Sequence, residues 1–346
     1  MNYILSDDKK VWKTFISSLD EKDFDIYHTY EFNNIYKKNN ELLFFLYQQN
    51  KNYLFFPILK KKIGNSDYFD FETPYGYGGP ITNCSDDKNF LDFSFQKFKQ
   101  LAIKEKIIAG IIRFNPYIAK SCINNIRDIK KIYSCKTVIL NLIQNHDYER
   151  IFDNYSKDIK TRIKKNKNTY FFSNKFDSVK KFSEIYYKRM SDHNADESYF
   201  FEKEYFENIT LLNEDFWKIV EIHDNENIIG GAIILQNKKY CNIHLSSSLK
   251  EYFKFSPNII IRDAIIKYCV ENKIEILHFG GGRTNEFNDS LLNFKKKFSK
   301  ELIDYNLGGF ILNDKVYLDL CTNWEKKYFD SAEKKKFNNY FLKYRY

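Results

Sequence analysis

Residues 277–299 read LHFGGGRTNEFNDSLLNFKKKFS, and the rest of the chain is best understood as a scaffold around this stretch. The apolar, β-branched and aromatic residues at 274–279 predict a short strand, and the three glycines that end it predict a turn. Asp289 stands where the N-cap of a following helix is expected. The stretch therefore predicts a strand, a turn and a helix, in that order.

One lysine of the KKK run in this helix lies on its apolar face. At about 100° per residue, Lys295 falls among Leu291, Phe294 and Phe298, whereas the next two lysines point away. A lysine at the edge of an apolar stripe commonly extends its ammonium into water. The other interpretation is a cation at a cleft wall, where it meets a phosphate or the oxyanion of an acyl-transfer intermediate. Geometry alone slightly favours the first.

Length and composition indicate a globular protein of two domains. A chain of 346 residues is too long for one small core. Apolar residues form 43% and aromatic residues 18% of it, which excludes intrinsic disorder. The net charge of +9 accompanies a bias toward Lys, Asn, Ile, Phe and Tyr that an AT-rich genome also produces. The charge is therefore weak support for a nucleic-acid partner, and no DNA partner is expected.

The cysteines and the N-terminus exclude other classes. Six cysteines are scattered without a CxxC pair or a histidine at ligand spacing, so neither a metal site nor a disulfide framework is expected. The first residues, MNYILSDD, lack the basic region and apolar core of a signal peptide, and no apolar run approaches the ~18 residues of a membrane span. We expect a cytoplasmic protein with no membrane span.

Strands and helices alternate along the chain, which predicts a mixed α/β fold. The predicted helices are 8–19, 27–38, 88–105, 118–133, 148–168, 177–192, 202–212, a helix that starts at 256–257, and 322–342. The predicted strands are 42–47, 53–59, 68–71, 107–114, 137–142, 216–223, 228–236, 240–247, 274–279, 301–307, 309–313 and 315–320.

Two stretches carry residue types that bind ligands. The loop TPYGYGGP at 73–80 combines rigid prolines and glycines with projecting Tyr75 and Tyr77, which suits a ligand-lining loop or a structural turn equally. The predicted helix at 148–168 is densely basic. Such a run is usually a solvated face, and the alternative is a surface that contacts phosphates. Its cations include Lys157, Lys160, Arg162, Lys164, Lys165 and Lys167.

The strand at 240–247 and the helix after it predict a further polar region. His244 and Ser246 alternate with apolar neighbours, so this strand is expected to have one polar face. Ser256 and Pro257 start the next helix, with the proline in the first turn, where its missing N–H costs nothing. The N-terminus of that helix is a natural anion site, as any helix start is.

The order of elements in 216–299 resembles the core of the GNAT acyltransferase fold. More specifically, FGGG at 279–282 followed by DSLLNFKKKF at 289–298 resembles the FemABX branch, whose members add amino acids to peptidoglycan precursors. The chain also resembles GNAT-like proteins found with bacterial surface-polysaccharide genes. Further stretches that agree with the branch are the loop 73–80, the basic helix around Arg162, HLS at 244–246 and SPN at 256–258.

This resemblance implies an α/β (mixed α+β) fold with two tandem GNAT-like domains around a shared cleft. The first domain is expected to span 1–145 and to be completed by the tail 300–346. The second is expected to span 146–299.

The resemblance also implies roles for single residues. Lys295 matches the lysine that stabilises the transition state, and Arg162, with Lys160 as its rival, matches a residue that holds acceptor phosphates. His244 is a candidate base, although a strand histidine beside a serine is more often structural. The other residues expected at the substrate site are Tyr75, Tyr77, Ser246, Asn258, Arg283 and Asp289.

The implied reaction is transfer of an aminoacyl or acetyl group to an amine on a bacterial envelope precursor. The acceptor would be nucleotide- or lipid-linked, either a peptidoglycan precursor or an amino sugar of a surface polysaccharide. The donor stays open between aminoacyl-tRNA and acetyl-CoA. The coiled-coil arm of some FemABX members has no counterpart here, and 251–258 lacks the glycine-rich turn by which ordinary GNAT enzymes hold the acetyl-CoA pyrophosphate.

The sequence leaves two other functions open and excludes a third. A non-catalytic RNA- or glycan-binding module could use the basic helix and surface aromatic residues. A pseudo-enzyme would keep the fold without turnover. A dehydrogenase is excluded, because the three glycines at 280–282 do not meet the GxGxxG spacing.

Overall fold

The structure is a computed structural model that describes residues 2–144, 146–192, 195–284, 286, 288–329 and 331–346. The chain divides into two compact units. Unit 1 comprises Met1–Cys135 and Asp304–Tyr346, and unit 2 comprises Lys136–Ile303. The sequence places the corresponding boundaries at 145/146 and 299/300.

The elements are numbered here in chain order. The strands are β1 (Asn2–Ser6), β2 (Glu41–Gln49), β3 (Asn52–Lys62), β4 (Phe69–Glu72), β5 (Ile81–Thr82), β6 (Ile107–Arg113), β7 (Ile129–Asn141), β8 (Thr169–Ser173), β9 (Trp217–Asp224), β10 (Asn227–Gln236), β11 (Tyr240–Ser248), β12 (Ile276–Gly281) and β13 (Glu301–Ile311). The α-helices are α1 (Lys9–Ser17), α2 (Tyr30–Asn34), α3 (Lys88–Lys104), α4 (Cys122–Asn125), α5 (Tyr148–Asp153), α6 (Lys157–Lys164), α7 (Phe176–Asp192), α8 (Lys203–Thr210), α9 (Pro257–Glu271), α10 (Ser290–Lys295), α11 (Asp314–Lys327) and α12 (Ala332–Phe337).

The sheet of unit 1 runs in the order β1-β2-β3-β4-β6-β13, with β5 paired to β3. Its neighbours are antiparallel except for β4 and β6, which are parallel. Aromatic side chains alternate between its two faces. The ring centroid of Trp12 in α1 lies 5.3 Å from that of Phe44. Phe45 points to the other face, where its ring centroid lies 5.3 Å from that of Phe98 in α3. Because both faces are covered, β2 and β3 are nearly continuous apolar runs.

A charged cluster at the end of β4 fixes the C-terminal residues to this sheet. Arg345 donates from Nε to Asp70 at 2.8 Å, and its guanidinium lies 3.8 Å from Glu72. Arg113 pairs with Glu72 at 2.9 Å, and Lys61 pairs with the same carboxylate. Burial alone would raise the pKa of the Glu72 carboxyl, but these three cations hold that pKa below its ordinary value.

The sheet of unit 2 runs in the order β7-β12-β11-β10-β9-β8. Strands β9, β10 and β11 form an antiparallel meander, and β12 pairs in parallel with β11. A parallel neighbour needs a crossover connection, which α9 supplies. Its isoleucines pack against the sheet in a core that includes Ile260, Ile265, Val220 and Leu277.

The mixed α/β fold that the sequence predicts is confirmed, but several of the predicted helices are wrong in extent. The helix expected at 27–38 is only α2, preceded by a 3₁₀ turn at Ile26–His28. The helix expected at 118–133 is only the short α4, and the chain is already in β7 from Ile129, because strand pairing overrides the local preference. The helix expected at 148–168 is interrupted at Ser156. That residue is extended, and its N–H donates to the carbonyl of Lys297.

The end of the chain also differs from the sequence prediction. The strand expected at 315–320 belongs to α11, because the Asn313 side chain accepts a hydrogen bond from the N–H of Val316 and caps a helix there. The single helix expected at 322–342 is replaced by the end of α11 and by α12.

Within the described ranges, no helix combines the length and the apolar character needed to cross a bilayer.

Candidate functional site

The strands β11 and β12 separate in the middle of unit 2. Their parallel ladder joins Tyr240–Asn242 to Ile276–His278, and beyond it β11 continues to Ser248 and β12 to Gly281. Main-chain groups on strand edges outside a ladder can hydrogen-bond to an extended ligand, such as a peptide or another chain of amides. The separated ends of β11 and β12 therefore form a candidate binding site.

A β-bulge at His244 marks the point of separation. Ile233 of β10 is opposite Leu245 and Ile234 is opposite Ile243, which leaves His244 as the extra residue. A bulge reverses the alternation of faces along the rest of the strand. The single polar face expected for this strand is therefore wrong.

The contacts of β11 show the reversal. His244 bonds through Nε2 to the hydroxyl of Tyr205 on α8, and Ser247, three residues later, bonds to the backbone of α7 on the same side. Ser248 instead accepts a hydrogen bond from Asn258 of α9 at 2.8 Å. Burial lowers the pKa of His244 to about 3, so its imidazole is neutral at physiological pH and is a weak base.

Ser246 lies between His244 and Ser247 on β11, and its hydroxyl is buried. Its Oγ has no hydrogen-bond partner among the described residues. Buried polar atoms nearly always have a hydrogen-bond partner, so this hydroxyl is a candidate for a hydrogen bond to a ligand.

The glycine turn after β12 is fastened by Asp289. One carboxylate oxygen caps α10 through the N–H of Leu292 at 2.7 Å, and the other accepts from the N–H groups of Arg283 and Thr284 at 2.9 and 3.0 Å. A Cβ on Gly282 would lie 2.4 Å from this carboxylate, so the position requires glycine. Burial alone would raise the pKa of Asp289, but the three N–H donors hold it below its ordinary value.

Lys295 is the last residue of α10, and its side chain turns inward. The residue is only 8% exposed, and Nζ donates to the carbonyl of Gly281 at 2.7 Å. Lys297, by contrast, forms an ion pair with Asp158 in which both side chains are more than 40% exposed. The helix ends earlier than the sequence predicts, yet the inward placement of this lysine agrees with its predicted face. A buried, bonded ammonium is not the solvated one that snorkelling implies.

His278 is a site residue that the sequence analysis missed. It is 1% exposed on β12, and burial together with the charge of Lys295 lowers the pKa of its imidazole to about 3. A neutral imidazole therefore lies within electrostatic reach of the ammonium. The available signal was a histidine at a core position of an otherwise apolar strand, which alone does not distinguish a site from a core.

A basic pocket of about 740 Å³ lies at the start of α9. Ser256 begins this helix in the left-handed conformation, with a φ of +57°, and its Oγ accepts a hydrogen bond from Arg162 at 2.7 Å instead of capping the helix. The positive end of the helix dipole adds partial positive charge to this pocket. Its lining includes Lys157, Arg162, Lys165, Lys167, Lys254 and Ser256.

The other predicted basic residues lie elsewhere. Lys160 donates to the carbonyl of Asp153 at 2.9 Å, at the end of α5, and does not line the pocket. Arg283 is exposed near Arg189, whose pKa is lowered by burial and then by the charge of Arg283. Of Arg162, Lys160 and Arg283, only Arg162 lines this pocket.

The two predicted tyrosines belong to unit 1. Tyr77 packs edge-to-face on Tyr27 at 5.3 Å and on Tyr305 at 5.1 Å, whereas Tyr75 is 42% exposed. The loop that carries them is fastened by His28, whose Nε2 bonds to the carbonyl of Gly79 at 3.0 Å. Tyr77 therefore helps to pack the loop, and Tyr75 presents its ring at the surface.

No group of histidine, cysteine, aspartate and glutamate side chains within the described ranges is arranged to hold a metal ion.

Residues 154–296 match the family model of the acetyltransferase (GNAT) domain. The structure superposes on the crystal structure of FemX with a TM-score of 0.72 at 14% identity, over 92% of this chain and 99% of FemX. A conserved protein of unknown function from Bacteroides thetaiotaomicron gives a TM-score of 0.56 at 11% identity, over 88% of this chain and 96% of that one.

A third similar structure is the C-terminal domain (DUF2156) of a putative lysylphosphatidylglycerol synthetase from Agrobacterium fabrum. Its TM-score is 0.52 at 12% identity, over 89% of this chain and 93% of that one. No curated protein matches the sequence. At these identities the structural likeness establishes the fold, and the FemABX-like GNAT fold that the sequence predicts is confirmed.

Proposed function

Because the chain has a FemABX-like GNAT fold, we propose that it is an N-acyltransferase that acts on a bacterial envelope precursor. The transferred group would be an aminoacyl or an acetyl group, and the acceptor an amine on a peptidoglycan precursor or on an amino sugar of a surface polysaccharide. The GNAT match at 154–296 supports acyl transfer. The fold that the chain shares with FemX supports the choice of acceptor class.

The observation that carries this proposal is the buried ammonium of Lys295. In direct acyl transfer the amine attacks the carbonyl carbon, the C–N bond forms, and the C–O or C–S bond to the donor breaks. The proton that the amine loses ends on the leaving oxygen or sulfur, which departs as a hydroxyl or a thiol. Negative charge develops on the carbonyl oxygen, and a fixed cation that faces it lowers the barrier. The bond from Nζ to the Gly281 carbonyl, at 2.7 Å, fixes the position of this cation. No covalent enzyme intermediate is needed, because positioning the two substrates supplies much of the acceleration.

The separated strand ends supply the positioning in this proposal. An extended donor or acceptor arm that contains amides would hydrogen-bond to the edge of β11 beyond Asn242, where the ladder to β12 has ended. The orphaned hydroxyl of Ser246 lies on this part of the strand and would bond to the same arm. The phosphates of the acceptor would occupy the basic pocket at the start of α9.

Arg162→Ala tests the pocket. Acceptor affinity should fall, and its dependence on salt should become shallower, since one ionic contact fewer remains to be screened. Lys160→Ala is the matched control from the same helix, and it should leave affinity unchanged because this lysine bonds to the Asp153 carbonyl. The measurement is titration of the nucleotide-linked precursor at two salt concentrations. Equal effects of both substitutions would contradict a specific phosphate site and would indicate that this helix is only a solvated, basic face.

A strain that lacks the gene tests the function itself. Mass spectrometry of its nucleotide-linked and lipid-linked envelope precursors should show one species that has lost the mass of a single acyl group. That mass also separates the donors, because an acetyl group implies acetyl-CoA and an amino-acid residue implies aminoacyl-tRNA. Restoring the gene should restore the mass, whereas the gene with Lys295→Ala should not.

The main alternative is a non-catalytic RNA- or glycan-binding module, and the basic pocket is the feature that favours it. Such a module would leave every precursor mass unchanged in the deletion strain. It would also bind its ligand equally well with or without Lys295, because charge on the pocket and not on α10 would determine affinity.

A further inference from the structure

Three arginines in the part of the chain that the structure describes are largely buried, and two of them have a carboxylate partner. Arg113 pairs with Glu72 at 2.9 Å, and Arg345 pairs with Asp70. Burial alone would lower the pKa of both guanidinium groups, yet their carboxylate partners raise it above the ordinary value. These two are the usual solution to a buried cation, because a charge removed from water needs a counter-charge.

Arg262 on α9 is the exception. It is only 5% exposed, and in the described part of the chain it forms no ion pair. Its Nη1 donates to the carbonyl of Asn258 at 2.9 Å, its guanidinium covers the ring of Phe294 at 4.8 Å, and its buried Nε has no hydrogen-bond partner. Burial lowers its pKa to about 10.

The adjacent carboxylate does not neutralise it. Asp263 is the next residue, but it accepts a hydrogen bond from the Tyr148 hydroxyl at 2.7 Å and pairs with Lys267 at 3.1 Å. The positive charge of Arg262 therefore lies inside unit 2, and the N–H group at Nε donates no hydrogen bond. A guanidinium is planar and offers parallel N–H groups that match the two oxygens of a carboxylate or a phosphate.

We propose that Arg262 binds an anionic group of a substrate, a carboxylate or a phosphate oxygen pair, beside α10. Phe294, whose ring the guanidinium covers, directly precedes Lys295 in that helix. The anion would thus be held close to the lysine that we assign to the acyl carbonyl, and Arg262 would select substrates that carry charge at that position. This placement rests on the proposed function, but the binding of an anion by Arg262 does not.

The proposal predicts that Arg262 lowers the stability of the ligand-free protein. An unpaired buried charge costs free energy, and replacing such a group by an apolar one of similar volume is often neutral or stabilising. Arg262→Met should therefore unfold at the same temperature as the wild type or a few degrees higher. Arg113→Met is the matched control, and it should lower Tm by several degrees because it removes one of the three cations that neutralise the Glu72 carboxylate.

Anion binding is measured in the same thermal unfolding experiment, with succinate as the carboxylate probe and inorganic pyrophosphate as the phosphate probe. Ionic strength is matched with sodium chloride. One of the two anions should raise the wild-type Tm by a few degrees, and Arg262→Met should abolish that shift. Arg162→Ala identifies any part of the pyrophosphate shift that arises in the pocket at the start of α9.

Which anion responds identifies the charged group of the substrate. The proposal is overturned if neither anion shifts the wild-type protein, or if Arg262→Met keeps the full shift. It is also overturned if Arg262→Met loses as much stability as Arg113→Met, since that result makes Arg262 a structural cation. None of these measurements needs turnover, so they stand whether or not the acyltransferase assignment holds.

Discussion

Lys295→Ala should lower turnover by roughly 10²–10³, the loss seen when one preorganised oxyanion donor is removed, with little change in substrate affinity. The reason is that the ammonium is bonded to the Gly281 carbonyl before any substrate arrives. The ammonium therefore does not need to reorient when negative charge develops on the acyl oxygen. The measurement is steady-state transfer to the isolated acceptor, compared with binding of the same acceptor by titration.

The neighbouring lysines are the controls. Lys296→Ala and Lys297→Ala should leave turnover unchanged and shift stability by less than about 0.5 kcal/mol, the ordinary range for surface substitutions. Lys297 is the more stringent of the two, because it forms an ion pair with Asp158. Full activity in Lys295→Ala, or equal losses at all three positions, would contradict a catalytic role for this lysine.

Glu72→Gln should destabilise unit 1 toward the lower end of about 3–5 kcal/mol, the range for breaking a buried ion pair. The lower end is expected because 16% of the Glu72 side chain remains exposed. A neutral amide there would leave Arg113, Lys61 and Arg345 facing one another without their shared carboxylate. Urea unfolding at neutral pH, followed by tryptophan fluorescence, to which Trp12 and Trp324 of this unit contribute, measures the change.

The dependence on pH gives a second readout of the same cluster. A carboxyl whose pKa is depressed on folding contributes stability that is fully present well above its unfolded pKa, about 4.3, and that is lost as the pH falls below it. The wild type should therefore lose this contribution on acidification, whereas Glu72→Gln should not. Glu41→Gln is the control, with a loss within about 1 kcal/mol, because the Glu41 side chain is 55% exposed and Glu105 still pairs with the same lysine. A similar loss in both variants would contradict the importance of the cluster.

The part of the site that could be predicted from sequence is the part built from neighbouring residues. The strand, the glycine turn and the cap at Asp289 are local, and a period of 3.6 residues was enough to place Lys295 on the apolar face of α10. That period did not show that its ammonium is buried. The turn predicted from the three glycines also agrees with the structure. Gly282 lies against the Asp289 carboxylate, and Gly280 has a φ of +77°.

Contacts between distant residues could not be predicted in the same way. The bond between Arg162 and Ser256 joins positions 94 residues apart, and no local pattern separates that arginine from Lys160 on the same helix. The bulge at His244 depends on the register of β10, so an alternating polar pattern gave the wrong face. Arg262 reads as one polar residue in an isoleucine-rich helix, and its isolation is visible only once its neighbours are known.

The interrupted course of unit 1 sets the order in which a nascent chain can acquire its structure. Unit 2 is one continuous stretch, Lys136–Ile303, whereas unit 1 requires Asp304–Tyr346 in addition to the first 135 residues. During translation the first unit to start is therefore the last that can be finished. Until β13 and Arg345 leave the ribosome, β6 has only β4 beside it, and the Asp70 carboxylate lacks the guanidinium that pairs with it. For that interval Phe95 and Phe98 also lack their ring contacts with Phe310 of β13, so apolar surface of the early nascent chain stays exposed to aggregation.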